Sequence, residues 1–383
     1  MTDERCDILV IGAGVAGGAF AAGVGRLGVG RVVLAERSAW PREKVCGCCL
    51  NAAGVQSLSR LGLGAELERK GQPLDRVILR ACGGVATFTR RGGVAVSRRV
   101  LDGMLVDSAV RTGVEFRPAT SATVEGRAAC GGWHVRLQSG GRRTTISAGL
   151  VTVADGLGGG SLDGVEGLGV RVARDSLFGV GGVVQTPIAR GVVEMNVGRH
   201  GYVGLVRAWN GEASMAAALD PAWTRKVGGP RFAVDAILRE AGAAAVDLDA
   251  ATLRGTPLLT RRRERAALPG LLAIGDSNGY VEPFTGEGMA WGLAGAEAAA
   301  SMVGAGLRSS ELAAAWSRWH ADNVLPRQRM CTSVRSLLRR PTLVGATVRV
   351  MAAIPAAGQA VTRIADRIER PYSRWSMKNA VPA

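Results

Sequence analysis

Apolar runs and glycine-containing turns alternate at the start of the chain. The run Cys6–Ile11 predicts a buried strand, and the glycine-rich turn after it leads into a helix of small residues that reaches about Leu27. A second short apolar strand, Arg31–Ala35, ends at Glu36. This order predicts a β-α-β unit with two parallel strands.

The next part of the chain has the pattern of a helix followed by short strands. Val96–Thr112 has apolar residues at helical spacing. The strands predicted after it are Val114–Phe116, Ala122–Glu125, Trp133–Gln138, Thr144–Ser147 and Leu150–Ala154. Because glycine turns separate the first four and the last is a continuous apolar run, we expect a meander that leads into a buried strand.

The middle of the chain, from about Val170 to Thr260, alternates short strands with glycine turns and contains one helix, Arg231–Ala241. This pattern predicts an antiparallel sheet covered by a helix. Beyond it, Leu271–Ile274 has the pattern of a buried strand and Gly288–Val303 that of a helix of small residues. The whole chain is therefore expected to be a mixed α/β protein with a Rossmann-like domain, a sheet domain and C-terminal helices.

Composition supports a globular protein, because 47% of the 383 residues are apolar and 21% are charged. The best candidates for membrane spans, Met289–Leu307 and Val344–Val361, contain charges and many small residues, so they indicate helices of a water-soluble protein. The first residues are acidic and lead directly into a strand, which predicts a cytoplasmic protein. Seven cysteines without ligand or disulfide spacing predict neither a metal site nor a disulfide framework.

Basic residues concentrate at the C-terminal end. The formal net charge is +16, and from Arg308 to Lys378 thirteen Arg and Lys face four Asp and Glu. From Glu311 onward the pattern is helical, with breaks at Pro326, Pro341 and Pro355. No nucleic-acid reader motif accompanies the charge. Two interpretations stay open: helices with solvated basic outer faces, or, from about Ser333 to Arg370, an amphipathic lid in peripheral contact with the inner face of the membrane.

The strongest motif is the sequence Gly12-Ala-Gly14-Val-Ala-Gly17. In such a turn, the first glycine allows the tight bend, the second lets the backbone approach a pyrophosphate, and the third lets the helix pack against the strand. Glu36 follows Gly17 by nineteen residues, where a carboxylate can accept hydrogen bonds from ribose hydroxyls. The combination predicts that the first helix binds a dinucleotide.

Two later motifs favour FAD over NAD. The strand Leu271–Ile274 ends in Gly275-Asp276, whose carboxylate can hold a hydroxyl near the pyrophosphate. The segment Pro283–Gly288 follows as a glycine-rich loop before a helix, and its N–H groups can stabilise negative charge on a reduced flavin. Each motif alone is an ordinary strand-to-helix turn, but their order after GxGxxG indicates a flavoprotein.

The chain resembles the group-A flavoproteins of the para-hydroxybenzoate hydroxylase type, and within them the geranylgeranyl reductase family. The matching motifs are GAGVAGG, Glu36, PREKVCG at Pro41–Gly47, SRRVLD at Ser97–Asp102, ADG at Ala154–Gly156, the GD pair and PFTGEG. The resemblance implies an FAD domain built from separate segments and a substrate domain on an antiparallel sheet. The expected segments are FAD domain at 1–75, 96–165 and 263–310, substrate domain at 76–95 and 166–262, and C-terminal helices at 311–383.

The motifs and the resemblance together give a set of candidate site residues. Those expected to bind FAD are Gly12, Gly14, Val15, Ala16, Gly17, Glu36, Arg37, Arg42, Lys44, Cys46, Gly47, Arg98, Asp155, Gly156, Gly275, Asp276, Pro283, Gly286, Glu287, Gly288 and Met289. Cys46 is also the candidate proton donor, with a small buried hydrophobe as the alternative. Tyr202 is expected in the substrate pocket, as the one aromatic residue retained from the family's aromatic segment.

Three functions are compatible with these motifs. The first is a hydride relay from a reductant, NAD(P)H, through FAD to an unsaturated, largely apolar small molecule. The second is an FAD-dependent monooxygenase acting on an aromatic, polyketide-like or lipid-like substrate, since fold alone does not fix chemistry. The third is a flavin-binding protein without turnover. The sequences GDSNGY and GEGMAW are nearer the reductase pattern than the hydroxylase pattern, while the substrate and the oligomeric state stay open.

Overall fold

A computed structural model describes residues 4–128, 131–208, 211–249, 251–282, 284 and 286–354, with the backbone alone at Arg91. The strands are β1 (Glu4–Ile11), β2 (Val32–Ala35), β3 (Cys49–Leu50), β4 (Gln72–Ala81), β5 (Gly84–Ala95), β6 (Glu115–Arg117), β7 (Ser121–Arg127), β8 (Trp133–Ser139), β9 (Arg142–Val153), β10 (Val170–Val172), β11 (Phe178–Val184), β12 (Val192–Gly198), β13 (Gly201–Arg207), β14 (Ala213–Leu219), β15 (Arg254–Leu258), β16 (Arg261–Arg263), β17 (Ala267–Leu268), β18 (Leu271–Ala273) and β19 (Gly279–Tyr280). The α-helices are α1 (Val15–Arg26), α2 (Ala52–Arg60), α3 (Gly64–Lys70), α4 (Arg98–Arg111), α5 (Pro221–Lys226), α6 (Pro230–Ala241), α7 (Gly288–Gly304), α8 (Ser309–Asn323), α9 (Leu325–Leu338) and α10 (Pro341–Ala353). The predictions at Pro283, at Pro355 and in the tail after Ile354 lie outside the described residues.

The first sheet is built around the predicted β-α-β unit. Its strands follow the order β17-β18-β9-β1-β2-β6, and β18, β9, β1, β2 and β6 run parallel. Ile8 pairs with Val32 on one side and with Leu150 on the other, so β1 is central and buried. Helices α1, α4 and α7 cover one face through a shared apolar core. The fold class expected from the sequence is therefore confirmed.

Strand β9 differs from its prediction, because the expected strands Thr144–Ser147 and Leu150–Ala154 form one continuous element, Arg142–Val153. Its first part pairs with β8 in the antiparallel meander. Its later part pairs in parallel with β1 and β18. Strand β1 pairs with β9 from Ile146 to Val153, across the small residues between the two predicted strands, so those residues do not end the strand.

The second sheet has the order β15-β11-β14-β13-β12-β4-β5-β3. Its neighbours are antiparallel as predicted, with one exception, because β12 and β4 run parallel. A tight hairpin forces neighbouring strands to be antiparallel, whereas β4 and β12 are joined by a long connection that includes β6 to β9 of the first sheet and are free of that constraint. The short helix α5 precedes the predicted helix α6 and was not predicted. A small third sheet contains β10, β16 and β19.

Alternation along β13 and β14 gives the second sheet two different faces. Val203, Leu205 and Met215 pack with helix α6 in one apolar core. Residues of opposite parity, such as Tyr202 and Gly204, face the first sheet and the C-terminal helices. Because successive side chains of a strand point to opposite faces of the sheet, one face packs against a helix and the other forms the wall of a cavity.

The C-terminal helices pack on both sheets. Trp316 of α8 is fully buried, and its indole N–H donates to the carbonyl of Ala273 at 3.1 Å. Helix α10 lies on β4 and β5, where Val344, Val348 and Met351 form a separate apolar cluster with Ala86. None of the helices in the described part of the chain combines the length and the hydropathy needed to cross a bilayer.

Candidate cofactor and substrate site

A cavity of about 720 Å³ lies between the two sheets and is covered by α9 and α10. Most of the predicted site residues line it: Gly14, Val15, Ala16, Arg37, Lys44, Cys46, Gly47, Arg98, Asp155, Gly156, Tyr202, Gly275, Asp276, Gly286, Gly288 and Met289. Five others lie outside the lining, namely Gly12, Gly17, Glu36, Arg42 and Glu287. Segments far apart in the sequence therefore meet at this one cavity.

The turn between β1 and α1 requires its glycines. Gly12 has a φ of +100°, and a side chain there would place its Cβ 2.5 Å from the carbonyl oxygen of Ala154. A Cβ at Gly17 would lie 1.8 Å from the carbonyl oxygen of Gly12. Because neither glycine has a side chain, the helix can lie close to the strand, and the free N–H groups at the start of α1 then point into the cavity.

Three cations surround Gly14. A Cβ at Gly14 would lie 3.5 Å from Arg98 Nη2, 3.6 Å from Arg42 Nη2 and 4.0 Å from Lys44 Nζ. Burial is the largest effect on Lys44 and lowers its pKa, and the charge of Arg98 lowers it further. A glycine backbone, a helix N-terminus and three positive side chains are the donor set that a pyrophosphate requires, so these residues fit a dinucleotide.

Asp102 orients two of these cations and was not singled out from the sequence. It is fully buried on α4 and accepts from Arg98 Nε at 3.0 Å and from Arg98 Nη2 at 2.9 Å. Its second oxygen also accepts from Arg42 Nη1 at 2.9 Å. The signal for this pair was present in the sequence, since Arg98 and Asp102 are four residues apart on one helix.

Glu36 lies just after β2 and is 5% exposed. Its Oε2 accepts from the N–H of Ala13 at 3.1 Å and pairs with Arg42 at 3.2 Å, while Oε1 accepts from the N–H of Ser38 at 3.0 Å. The carboxylate therefore links the glycine turn to the end of the second strand, which is where the ribose of a dinucleotide is held in this type of fold.

Asp155 and Asp276 occupy different environments although both line the cavity. Asp155 accepts from Ser277 Oγ at 2.8 Å and from the N–H of Ser161 at 3.1 Å, so its carboxylate fixes the loop after β9. Ser277 in turn accepts from the N–H of Gly156 at 2.9 Å. Burial raises the pKa of Asp276, while the charges of Lys44 and Arg98 act in the opposite direction.

The cysteine segment lies between the cation cluster and the second sheet. Cys46 Sγ accepts from the N–H of Cys48 at 3.3 Å and lies 4.0 Å from Met289 Sδ. The hydrogen bond from the Cys48 thiol lowers the pKa of Cys46 to about 6, and the charge of Arg98 acts in the same direction. Ser214 Oγ contacts the Cys48 thiol at 3.3 Å and donates to the carbonyl of Cys46 at 3.1 Å. Cys48 and Ser214 were not predicted as site residues.

The loop before α7 brings its backbone to the cavity. Gly286 has a φ of +78° and Gly288 is the first residue of the helix, so the N–H groups of this helix end face the site. The side chain of Glu287 is fully buried, accepts from Asn51 Nδ2 at 3.0 Å and lies away from the cavity lining. Burial raises the pKa of Glu287 to about 7.

The remaining wall of the cavity is mainly apolar, although Arg76, Arg90 and Glu282 also line the cavity. Tyr202 packs edge-on against Phe284 with ring centres 5.1 Å apart, and burial raises the pKa of its phenol well above the usual value. The second sheet contributes small residues beside it, Gly204, Ala216 and Ala218. The inner faces of α9 and α10, with Phe88 and Met195 of the sheet, enclose the far end. This part of the site suits a long apolar molecule.

Fold and site together define an FAD-binding protein, and comparison with known proteins agrees. Residues 5–318 match the family described as FAD binding domain, so the chain belongs to that family. This membership confirms the expected class of enzyme, an FAD-dependent oxidoreductase. It supports the group-A flavoprotein resemblance at the level of family and fold, whereas the geranylgeranyl reductase subfamily is not distinguished.

Short stretches are similar to curated relatives. The menaquinone reductase of Mycolicibacterium smegmatis is 40% identical over 68 residues, which are 18% of this chain and 16% of that protein. The menaquinone reductase of Mycobacterium tuberculosis is 42% identical over 65 residues, which are 17% of this chain and 16% of that protein. The similarity therefore spans a small part of the length of either relative.

Solved structures share the fold over nearly the whole chain. The flavin-dependent brominase Bmp2 has a TM-score of 0.75 at 15% identity, covering 96% of this chain and 94% of that one. The p-nitrophenol 4-monooxygenase PnpA from Pseudomonas putida DLL-E4 has a TM-score of 0.75 at 15% identity, covering 96% and 99%. PqsL from P. aeruginosa, in complex with 2-aminobenzoylacetate, has a TM-score of 0.69 at 19% identity, covering 90% and 99%.

Proposed function

We propose that this protein is an FAD-dependent reductase that adds hydrogen across a carbon–carbon double bond of a largely apolar small molecule. The observation that carries the proposal is the continuity of the cavity, which runs from the cation cluster at Gly14, past the Cys46 thiol, to the apolar wall under α10. Bound FAD supplies the hydride, and NAD(P)H is the proposed source of electrons.

The cofactor-binding residues act by position and charge. Arg42, Lys44 and Arg98 would hold the pyrophosphate at the start of α1, and Glu36 would accept from the ribose. The helix end at Gly288 would stabilise negative charge on the reduced ring system, since a helix N-terminus carries a partial positive charge.

Cys46 is the proposed proton donor. The hydride forms a C–H bond at one carbon of the double bond, and the proton of the Cys46 S–H bond forms a C–H bond at the other. The hydride pair and the π pair become the two new C–H bonds, and the S–H pair stays on sulfur. Only the thiol form can donate, and it is the dominant form below about pH 6, so turnover is expected to slow as the pH rises above that value. The thiolate left after donation is stabilised by the Cys48 thiol and by Arg98, and is protonated again from solvent.

The substrate class follows from the wall around Tyr202. Small residues opposite the C-terminal helices leave room for an extended chain, and this wall has few polar groups to hold a charged substrate. The short similarity to menaquinone reductases makes a quinone with an isoprenoid chain the first candidate to test.

A monooxygenase is the second candidate function, and the observation in its favour is the shared fold with p-nitrophenol 4-monooxygenase. The same cofactor and cavity would then serve oxygen transfer to an apolar substrate. The two functions differ in the mass of the product, which gains two hydrogens in one case and one oxygen atom in the other.

Anaerobic turnover separates the two functions. The FAD-loaded protein is reduced with NADPH, and the flavin absorbance is followed on addition of menaquinone. We expect reoxidation without oxygen and a product that stays heavier by two hydrogens after air has returned any quinol ring to the quinone, so that the gain lies in the isoprenoid chain. Reoxidation only by oxygen, with labelled oxygen in the product, would overturn the reductase proposal.

A variant that fills the cavity checks the location of the substrate. Ala216→Leu enlarges a side chain of the apolar wall and leaves the residues around Gly14 unchanged. We expect normal FAD binding and a KM for the apolar substrate raised by more than about tenfold, the factor for about 1.4 kcal/mol. Ala314→Leu on the exposed side of α8 is the matched control and should leave KM unchanged.

A further inference from the structure

Helix α10 is apolar on its inner side and also along one flank of its exposed side. Its inner side, with Val344, Val348 and Met351, packs on the second sheet and closes the cavity. A surface helix of a globular protein normally presents polar residues on its other side. Here the outer side carries Leu343 and Val350, followed by Ile354.

The outer residues form a continuous exposed stripe. Leu343 is 46% exposed, Val350 is 49% exposed and Ile354 is 51% exposed. Their spacings of seven and four residues place them along one side of the helix, and Leu337, which is 40% exposed, extends the apolar surface at the end of α9. Large apolar side chains grouped in this way mark a surface that contacts a partner.

The charge around the stripe identifies the partner. Between Val324 and Ile354 there are six arginines and no acidic residue, and two of the six, Arg335 and Arg339, pair with Glu282 and Asp175. Arg340, just before α10, and Arg349 within it are exposed. An apolar stripe bordered by arginines is complementary to a bilayer surface with anionic headgroups, because the apolar side chains enter the acyl boundary while the arginines meet phosphate.

We propose that the outer side of α10, with Leu337, Leu343, Val350, Ile354, Arg340 and Arg349, docks this protein on an anionic membrane surface. The same helix forms the cavity wall on its inner side, so docking places the cavity directly under the lipid surface. The docking itself is independent of the reaction, and only the delivery of a lipid-like substrate through this side depends on the proposed function.

Vesicle flotation of the FAD-loaded full chain tests the docking surface. The vesicles contain phosphatidylcholine alone or phosphatidylcholine with phosphatidylglycerol. We expect the wild type to float with the anionic vesicles, and high salt to weaken this binding. Absence of binding to the anionic vesicles would overturn the proposal.

Two variants separate the apolar and the charged parts of the surface. The double variant Leu343→Glu, Val350→Glu should lower binding to anionic vesicles by more than about tenfold, because it removes the side chains that enter the acyl boundary. The double variant Arg340→Ser, Arg349→Ser should lower it by more than about tenfold through the loss of two charges near the headgroups. Retained binding in either variant would contradict the assigned surface.

Matched controls exclude general effects of the substitutions. Phe232→Glu changes an apolar residue of α6 that is 62% exposed, and should leave binding unchanged. Arg142→Ser with Arg143→Ser removes two exposed charges at the start of β9, and should lower binding much less than the α10 pair. Flavin absorbance and the thermal midpoint check that each variant is folded. If the Leu343 and Val350 variant instead dissociates a dimer and the wild type ignores vesicles, the surface is a contact between copies of this chain.

Discussion

At the scale of single residues, neighbouring groups set the chemistry of the site. Cys46 and Cys48 are two residues apart, yet their thiols behave oppositely: the pKa of Cys46 is lowered to about 6, and that of Cys48 is raised well above its usual value. Their mutual hydrogen bond is the largest cause for both, because it stabilises a thiolate on Cys46 and disfavours a second one beside it. Cys46 is therefore the reactive thiol of the pair.

Thiol alkylation of the FAD-free protein tests this assignment. A lowered pKa leaves Cys46 as thiolate above about pH 6, so its reaction with iodoacetamide should rise up to that pH and then level off. Cys46→Ser should remove this phase. Cys48→Ala should move the levelling-off to higher pH because it removes the largest stabilising contact. If neither variant changes the profile, the reactive thiol is a different cysteine.

The buried side chain of His320 in α8 should make the stability of the protein depend on pH. Burial lowers its pKa from 6.5 to about 4, so between these values the unfolded chain binds a proton that the folded protein does not. Stability therefore falls as the pH is lowered through this window, with a slope of up to about 1.4 kcal/mol per pH unit. Urea unfolding across this range should show a smaller slope in His320→Asn than in the wild type; equal slopes would exclude His320 as the cause.

At the scale of elements, close backbone packing joins β1 and α1. A Cβ at Gly17 would lie 1.8 Å from a backbone oxygen that cannot move aside without disrupting the turn. Gly103, in the middle of α4, has open space around the same position. The two helical glycines therefore differ in what they contribute to the fold.

Alanine substitution at both glycines tests that difference. Gly17→Ala should lower the free energy of unfolding by about 3 kcal/mol through overpacking, and should weaken FAD binding by displacing the start of α1. Gly103→Ala should raise the free energy of unfolding by about 0.5–1 kcal/mol, because alanine favours the helix. Urea unfolding and flavin fluorescence report the two effects. Equal behaviour of the two variants would show that the turn tolerates a side chain.

Elements whose bounds depend on local sequence patterns could be predicted from the sequence, whereas features that depend on which strands pair could not. β1, α1, β2 and α4 begin and end within about two residues of their predicted bounds, because apolar spacing and glycines act locally. The continuity of β9 and the parallel pairing of β4 with β12 depend on partners distant in the sequence. Cys48 and Ser214 were missed at the site for the same reason, since their contact joins separate segments, whereas the pair of Arg98 and Asp102 is local to α4 and could have been found from its spacing.

At the scale of the whole molecule, α9 is held by a buried charge cluster. Glu282, which is 2% exposed, pairs with Arg335 Nε at 2.9 Å and with Arg339 Nη2 at 3.2 Å. Asp175 contacts the same two arginines from the side facing solvent. The cluster connects the loop before α7, the loop before β11 and helix α9, so it ties the helix that covers the cavity to the second sheet and to the segment that leads into α7.

Removing the charge of Glu282 should loosen α9 and α10 where they cover the cavity. Glu282→Gln keeps the shape of the side chain but leaves Arg335, which is 8% exposed, without its buried counter-ion. Breaking a buried pair from one side costs about 3 kcal/mol, which corresponds to about a hundredfold increase in local opening. Hydrogen exchange of the amides in α9 and α10 should therefore accelerate by that factor, while α1 and β1 keep their protection.

Asp175→Asn is the matched control, because its side chain is 61% exposed and its pairing is screened by water. We expect it to change exchange in α9 by less than about fivefold, as for a surface ion pair worth under about 1 kcal/mol. If Glu282→Gln leaves α9 and α10 as protected as in the wild type, the apolar contacts of Val348 and Met351 alone hold these helices, and the charge cluster does not control access to the cavity.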